Sequence, residues 1–273
     1  MMILDNFENR NMKKKQKILI GINTLTEINQ TVYMNHMILS FRLGRSYPKF
    51  DFVICAPRRM AIDNMRNFCA KAAIDGKFEY LWFIDDDVLL PSDSLTHLLN
   101  LKADIAAGIT LIRGYPYNPM LFSFAKDRKN GAALTEYEQL IESDGTIRNG
   151  LDAVGFSCCL IRTALLRKVK APWFLTGPGF TEDVFFCGRA KEFKLDLTIA
   201  ATNKVQTEHI LGSETICQGN RKARIKYDEM LNPQLKHLGN KQVFSMAASN
   251  KKDDSNKFTV MRGVQFAENY KRP

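Results

Sequence analysis

Three consecutive carboxylates, Asp85-Asp86-Asp87, follow the apolar run Tyr80-Leu81-Trp82-Phe83-Ile84 and precede Val88-Leu89-Leu90-Pro91. Adjacent carboxylates repel one another unless a cation sits among them. The aromatic and β-branched run before them is short and reads as a strand buried on both faces. Alternation in extended chain points Asp85 and Asp87 to one side and Asp86 to the other. Two carboxylates at the mouth of an α/β sheet suit a hard divalent ion carrying phosphate. A solvated acidic turn is the plainer alternative, and the buried strand argues against it.

Other residues of chemical interest are scattered. Asp63 to Asp75 has helical spacing of Met65, Phe68, Cys69, Ala72 and Ala73, with Asp63 as a natural N-cap. Arg66 falls in the first turn of that helix, where a cation opposes the helix dipole. It reads either as a surface residue or as a phosphate or base contact. Glu182 and Asp183 follow the Gly177-Pro178-Gly179 loop at a helix start that Thr181 is placed to cap. Acids are favoured there by the dipole alone. Trp173 suits stacking on a sugar or base, or plain core packing. A lone histidine such as His209 is more often structural than a ligand.

The elements that must position these groups alternate. Strands are expected at Lys17–Thr24, Phe52–Ala56, the run into Asp85, Ala103–Ile112, Asp152–Ile161 and Leu195–Ala200. The first strand ends in the polar turn Asn23-Thr24, and Pro57-Arg58-Arg59 leaves the second. Helices are expected through Val32, Met37, Leu39 and Phe41, over 63–75, after Pro91-Ser92-Asp93 with Leu95, Leu98 and Leu99 on one face, through Ala164-Leu165, and after Thr181. Residues 126–150 suit a hairpin or surface insertion. The small residues around Gly155 allow a ligand close to the backbone. Residues 1–16 read as a flexible basic arm, and 250–257 as disordered.

With 273 residues, 45% of them hydrophobic, the chain can bury one substantial core. No apolar run approaches membrane-spanning length. The six cysteines show no metal-ligand spacing, so reduced thiols in a cytoplasmic protein are expected. The net charge of +10 divides by counting into +3 for residues 1–17, +1 for 18–203 and +6 for 204–273. A near-neutral core with basic ends fits solubility or a generic polyanion contact.

The order strand, helix, strand, helix, strand ending in Asp-x-Asp resembles that of the GT-A nucleotide-sugar glycosyltransferases. Met65-Arg66-Asn67 is similar to their Ala-Arg-Asn helix start. Ala153-Val154-Gly155-Phe156-Ser157-Cys158-Cys159-Leu160-Ile161-Arg162 resembles the strand flooring their acceptor region. Pro172-Trp173-Phe174, Glu182-Asp183-Val184-Phe185-Phe186-Cys187 and the terminal His209 follow in the expected order. The whole resembles the small single-domain glycosyltransferases of bacteriophages and large DNA viruses. The departures are Asn23-Thr24 where Pro-Thr is usual, and Met65 in place of Ala.

The resemblance spans 17–212 and implies a mixed, mainly parallel, Rossmann-like α/β sheet flanked by helices. Residues 213–273 are then a basic extension, partly helical and then disordered. It implies Mn²⁺ or Mg²⁺ on Asp87 and His209, with Asp85 on the ribose or a metal-bound water. Asn23, Thr24, Arg58, Arg66, Asp85 and Asp86 would contact a UDP- or GDP-linked sugar. Asp183, or secondarily Glu182, would be the base of an inverting transfer, with Gly155 and Trp173 in the acceptor region. The acceptor would be a glycan, lipid or protein, or a polyanion such as viral DNA met by Arg221, Lys222, Arg224 and Lys226. If the source is viral, the location is the host cytoplasm.

Three other classes stay open. A sugar nucleotidyltransferase should carry a Gly-rich basic loop after the first strand, which Gly21-Ile22-Asn23-Thr24-Leu25 is not. A palm-type polymerase or nuclease would leave Glu182, Asp183 and His209 unexplained. A nucleic-acid-binding module would explain only the ends.

Overall fold

A computed structural model describes residues 15–124, 133–134, 147–177, 180–194 and 196–236. Residues 1–14 of the expected arm, most of the 126–150 insertion and the 250–257 stretch lie outside the described residues, while Gln16 already belongs to the first strand. The strands are β1 (Gln16–Asn23), β2 (Phe50–Cys55), β3 (Tyr80–Asp85), β4 (Val88–Leu89), β5 (Ile105–Ile109), β6 (Leu121–Phe124), β7 (Ala133–Leu134), β8 (Ile147–Asn149), β9 (Ala153–Val154), β10 (Cys158–Arg162), β11 (Ile199–Gln206), β12 (Glu208–Leu211) and β13 (Glu214–Ile216). The helices are α1 (Gln30–Ser46), α2 (Ile62–Asp75), α3 (Ser94–Asn100), α4 (Thr163–Lys168), α5 (Glu182–Phe193) and α6 (Gln218–Leu231).

Seven strands form the main sheet in the order β2-β1-β3-β10-β5-β11-β8. Strands β1, β2, β3, β5 and β11 run parallel, while β10 and β8 are antiparallel to their neighbours. Helices cover both faces, as parallel crossovers require. The mixed, mainly parallel, Rossmann-like sheet is therefore present.

Strand alternation divides the core. Leu81 and Phe83 of β3 join Cys69, Ala70 and Ala73 of α2, Cys159 and Ile161 of β10, and Phe186 of α5. Trp82 and Ile84 face the other way, against Leu39 and Leu43 of α1 and Leu95 and Leu98 of α3. Trp82 and Phe83 are both fully buried, so β3 is covered on both faces. The parity carries Asp85 to the α2 side.

Several local expectations are corrected. On α1 the buried positions are Val32, His36, Leu39 and Leu43, while Phe41 is 73% exposed and Met37 also faces outward. On α2 Phe68 is exposed, and the N-cap is Ala61. Asp63 instead accepts hydrogen bonds from the Asn64 and Thr176 amides. Thr181 holds the N-cap position of α5 without capping it, because its hydroxyl donates to Asp183. Asp152–Ile161 is not one strand: β9 pairs with β6, whereas β10 enters the main sheet. Strand β11 is not the last, since β12 and β13 follow as a hairpin. A boundary at 212 would cut that hairpin, whose Ile216 is fully buried in the core.

Candidate functional site

The carboxyl ends of β1, β2 and β3 and the amino end of β10 meet along one edge. Asn23 lies opposite Asp85 in register. Thr24 bridges to Arg58, with the Thr24 amide donating to the Pro57 carbonyl at 3.2 Å. Arg58 is exposed at this edge. The Asp85 amide donates to the Ser157 carbonyl at 3.0 Å, which ties the acidic turn to β10.

The three carboxylates are handled separately. Asp85 accepts from Arg66 Nη2 at 3.1 and 3.4 Å. Burial pushes its pKa up, opposed by Arg66 and reinforced by Asp87. Asp86 faces the backbone of Leu25, beyond β1, and burial with its two neighbours raises its pKa to about 6. Asp87 Oδ2 lies 3.0 Å from Arg113 Nη1 and 3.3 Å from His209 Nε2. Burial works against its charge, but His209 and Arg113 outweigh burial and hold it below the usual carboxylate range.

His209 reaches Asp87 through two devices. A register shift between Thr202 and Gln206 bends β11, after which Thr207 bonds to Ile109 and Thr110. The chain then runs as β12 alongside β4, with His209 opposite Val88. Its Nδ1 lies 2.8 Å from the Leu111 carbonyl. A carbonyl only accepts, so Nδ1 carries the proton and Nε2 is the nitrogen aimed at Asp87. The Leu111 carbonyl thereby fixes the tautomer and orientation of the ring.

Behind Asp85 lies a buried charge relay. Arg66, only 2% exposed, donates from Nε to Glu182 at 2.9 Å and from Nη1 to the Phe156 carbonyl at 3.3 Å. Its guanidinium sits 4.8 Å from the Phe83 ring centre and 5.7 Å from that of Phe156. Burial disfavours its charge, but Asp85, Glu182 and Asp183 outweigh burial and keep it protonated. The structure thus spends Arg66 on ordering carboxylates inside the protein. Asp183, 4% exposed, accepts at Oδ1 from the Thr181 hydroxyl and from the Val184 amide. Burial, with Glu182 next, raises its pKa to about 6.

Gly155 and Trp173, the two residues expected in an acceptor region, are engaged internally. A Cβ on Gly155 would come within 2.6 Å of the Met120 side chain, so Met120 fills the space expected for a ligand. Trp173 Nε1 donates to the carbonyls of Leu166 and Val169 at 2.8 and 2.9 Å, which anchors the ring beside α4.

Sequence reasoning quoted Asn67 within a motif but gave neither it nor Arg113 a role. Asn67 Oδ1 accepts from the Trp173 and Phe174 amides and its Nδ2 donates to the Phe174 carbonyl, clamping this segment. Arg113, a lone basic residue just past a buried strand, was the available signal for the second. Its loop is strapped down by α6: Arg221 donates to the Pro116 and Tyr117 carbonyls and to Asn118, and Tyr115 donates to Glu229 at 2.8 Å. Arg224 pairs with Glu214 and Asp228. Two of the four cations expected to meet a polyanion are therefore tied into the fold.

Among the described residues, no cluster of three or more His, Cys, Asp or Glu is arranged to hold a metal. Asp87 and His209 form a pair, from which Asp85 is drawn away by Arg66. Two protein donors fit Mg²⁺ or Mn²⁺, which commonly keep waters and substrate phosphates in their remaining positions.

No family model and no curated protein matches this chain. Among solved structures, A197 from STIV is 17% identical, covers 75% of this chain and 91% of its own, and superposes with a TM-score of 0.50. The two share a fold. HddC from Yersinia pseudotuberculosis complexed with GMP-PN is 9% identical, with 78% of this chain and 99% of its own covered. Its TM-score of 0.33 is too low to bear on function. No helix among the described residues is long and apolar enough to cross a membrane.

Proposed function

We propose that this chain transfers a glycosyl group from a nucleoside-diphosphate sugar to an acceptor hydroxyl, with Mn²⁺ or Mg²⁺ held by Asp87 and His209. The observation that carries the reading is the Asp87–His209 pair at 3.3 Å, with Nδ1 committed to Leu111. A bound divalent ion would neutralise the departing diphosphate. Asp87 stays ionised because His209 and Arg113 outweigh its burial. Arg113 adds a second cation to the same edge, where a diphosphate would lie. Asn23, Thr24, Arg58 and Asp86 line the neighbouring strand ends, where an α/β sheet takes its nucleotide. Asp85 is oriented by Arg66 for the ribose or for a metal-bound water.

Asp183 is the base in this reading. A pKa of about 6 leaves it ionised yet basic enough to take a proton near neutrality. Oδ1 already accepts two hydrogen bonds, so the acceptor's proton would go to Oδ2. A base on the acceptor implies inversion at the anomeric carbon. The acceptor would be a glycan, lipid or protein hydroxyl; the internal pairing of Arg221 and Arg224 weighs against a polyanion.

Incubation with labelled UDP- and GDP-sugars, with and without Mn²⁺, tests this. Slow, metal-dependent release of free sugar and nucleoside diphosphate is expected. Release of pyrophosphate would point instead to nucleotidyl transfer, and inertness toward every donor with either ion would refute the proposal.

A further inference from the structure

Two thiols outside the proposed chemistry lie side by side. Cys55 ends β2 and Cys69 sits in the second turn of α2, with their sulfurs 3.6 Å apart and hydrogen-bonded. A disulfide needs about 2.05 Å, so closure has to draw the two sulfurs nearer. Strand β2 is an edge strand of the main sheet, where backbone adjustment is least constrained. Close packing is built in here: a Cβ on Gly21 would fall 3.1 Å from Cys69 Sγ.

The two sulfurs are unequal in the way that sulfenic-acid chemistry requires. Cys55 is half-buried, and Cys69 is fully buried. The hydrogen bond from Cys69, working against burial, lowers the pKa of Cys55. The same bond, with burial, raises that of Cys69. Susceptibility to peroxide follows thiolate character and exposure, and a resolving thiol beside the reactive one completes a sensor pair. Cys158, Cys159 and Cys187 are buried, and burial raises each of their pKa values. Cys217, half-buried at the N-cap of α6, accepts there from the N3 amide and serves as an internal comparison.

We propose that Cys55 and Cys69 form a redox-responsive pair that closes to an intramolecular disulfide when a hydroperoxide reacts at Cys55. The Cys55 thiolate attacks one peroxide oxygen; the O–O bond breaks, hydroxide leaves, and Cys55 becomes a sulfenic acid. Cys69 sulfur then attacks Cys55 sulfur; the S–S bond forms and the S–O bond breaks. The departing hydroxide takes up the Cys69 proton as water. The hydroxide of the first step takes up the proton that Cys55 released, so two thiols lose two electrons and one hydrogen peroxide is reduced to two waters. Cys69 Sγ also lies 3.9 Å from Asn23 Oδ1, at the strand end opposite Asp85, so drawing that sulfur toward Cys55 alters the surroundings of Asn23. Oxidation therefore reaches the edge assigned to the nucleotide.

The test is hydrogen peroxide titration of the folded, full-length protein, followed by non-reducing peptide mapping. The expected product is a 55–69 cross-link, lighter by two hydrogens and reversed by a thiol reductant. Cys69→Ser should stop the reaction at Cys55, trapped as a dimedone adduct. A persistent dimedone adduct at Cys55 in the wild-type protein would overturn the proposal. So would oxidation of Cys217 while Cys55 and Cys69 stay reduced. If Cys69→Ser does not fold, the wild-type map decides alone. A last readout rests on the proposed donor site: oxidised protein should bind a nucleoside diphosphate several-fold more weakly than reduced. Absence of nucleotide binding in the reduced protein would count against the proposed function and leave the cross-link to decide the pair.

Discussion

Replacing Arg66 with Met tests the buried relay directly. Arg66 is 2% exposed and holds Glu182 at 2.9 Å and Asp85 at 3.1 Å. Methionine keeps much of the contact with Phe83 and Phe156 but leaves Asp85, Glu182 and Asp183 without their shared counter-charge. Breaking a buried pair by removing one partner costs about 3–5 kcal/mol. Against a total stability of roughly 5–15 kcal/mol, that is a large share. The loss should depend on pH. Asp183 is already raised to about 6 and Asp85 is also raised, and without Arg66 both climb further. A carboxyl whose folded pKa exceeds its unfolded one favours the fold fully below the unfolded value. That contribution is lost as pH rises through the folded value. The variant's deficit should therefore be largest near pH ~8 and shrink by more than about 1 kcal/mol toward pH ~5. Urea denaturation of both proteins in chelator, at both pH values and with matching slopes, measures it. A deficit equal at the two pH values would show that Arg66 acts by packing alone. A loss below about 1 kcal/mol would refute the relay.

Asp87→Ala and His209→Gln should each abolish metal-dependent nucleoside-diphosphate binding, with Asp86→Ala much milder; calorimetry with Mn²⁺ checks this, and equal loss in all three would refute the Asp87–His209 assignment. Asp183→Asn should suppress turnover with donor affinity nearly unchanged, and wild-type kcat/KM should fall as pH drops below about 6. A retained anomeric configuration, seen by product NMR, would remove Asp183 as base. Asn67→Ala orphans the Trp173 and Phe174 groups it now bonds and should cost about 2–3 kcal/mol in urea melts; a loss within ~0.5 kcal/mol, the range of ordinary surface changes, would refute the clamp.

The local pattern of the sequence already determined much of the fold. The run Tyr80 to Ile84 read as a doubly buried strand, and the order of strands and helices before it pointed to a mainly parallel sheet with its acidic turn at the carboxyl edge. Residues with local roles were legible for the same reason: the position of Glu182 and Asp183 at a helix start is written in their neighbours. What the sequence could not decide was which distant groups face one another. Phe41 and Phe68 fit a helical period yet are exposed, because periodicity marks a stripe without saying which side a sheet will cover. His209 meets Asp87 only because the bend in β11 lays β12 against β4. Arg66 reads from its helix position as a surface cation or a phosphate or base contact; only the fold surrounds it with carboxylates from β3 and α5. Arg113, marked in the sequence only as a lone basic residue past a buried strand, meets Asp87 from a loop that the α6 strap holds. Each of these depends on contacts between residues far apart in the chain, and tertiary packing alone sets which of those form.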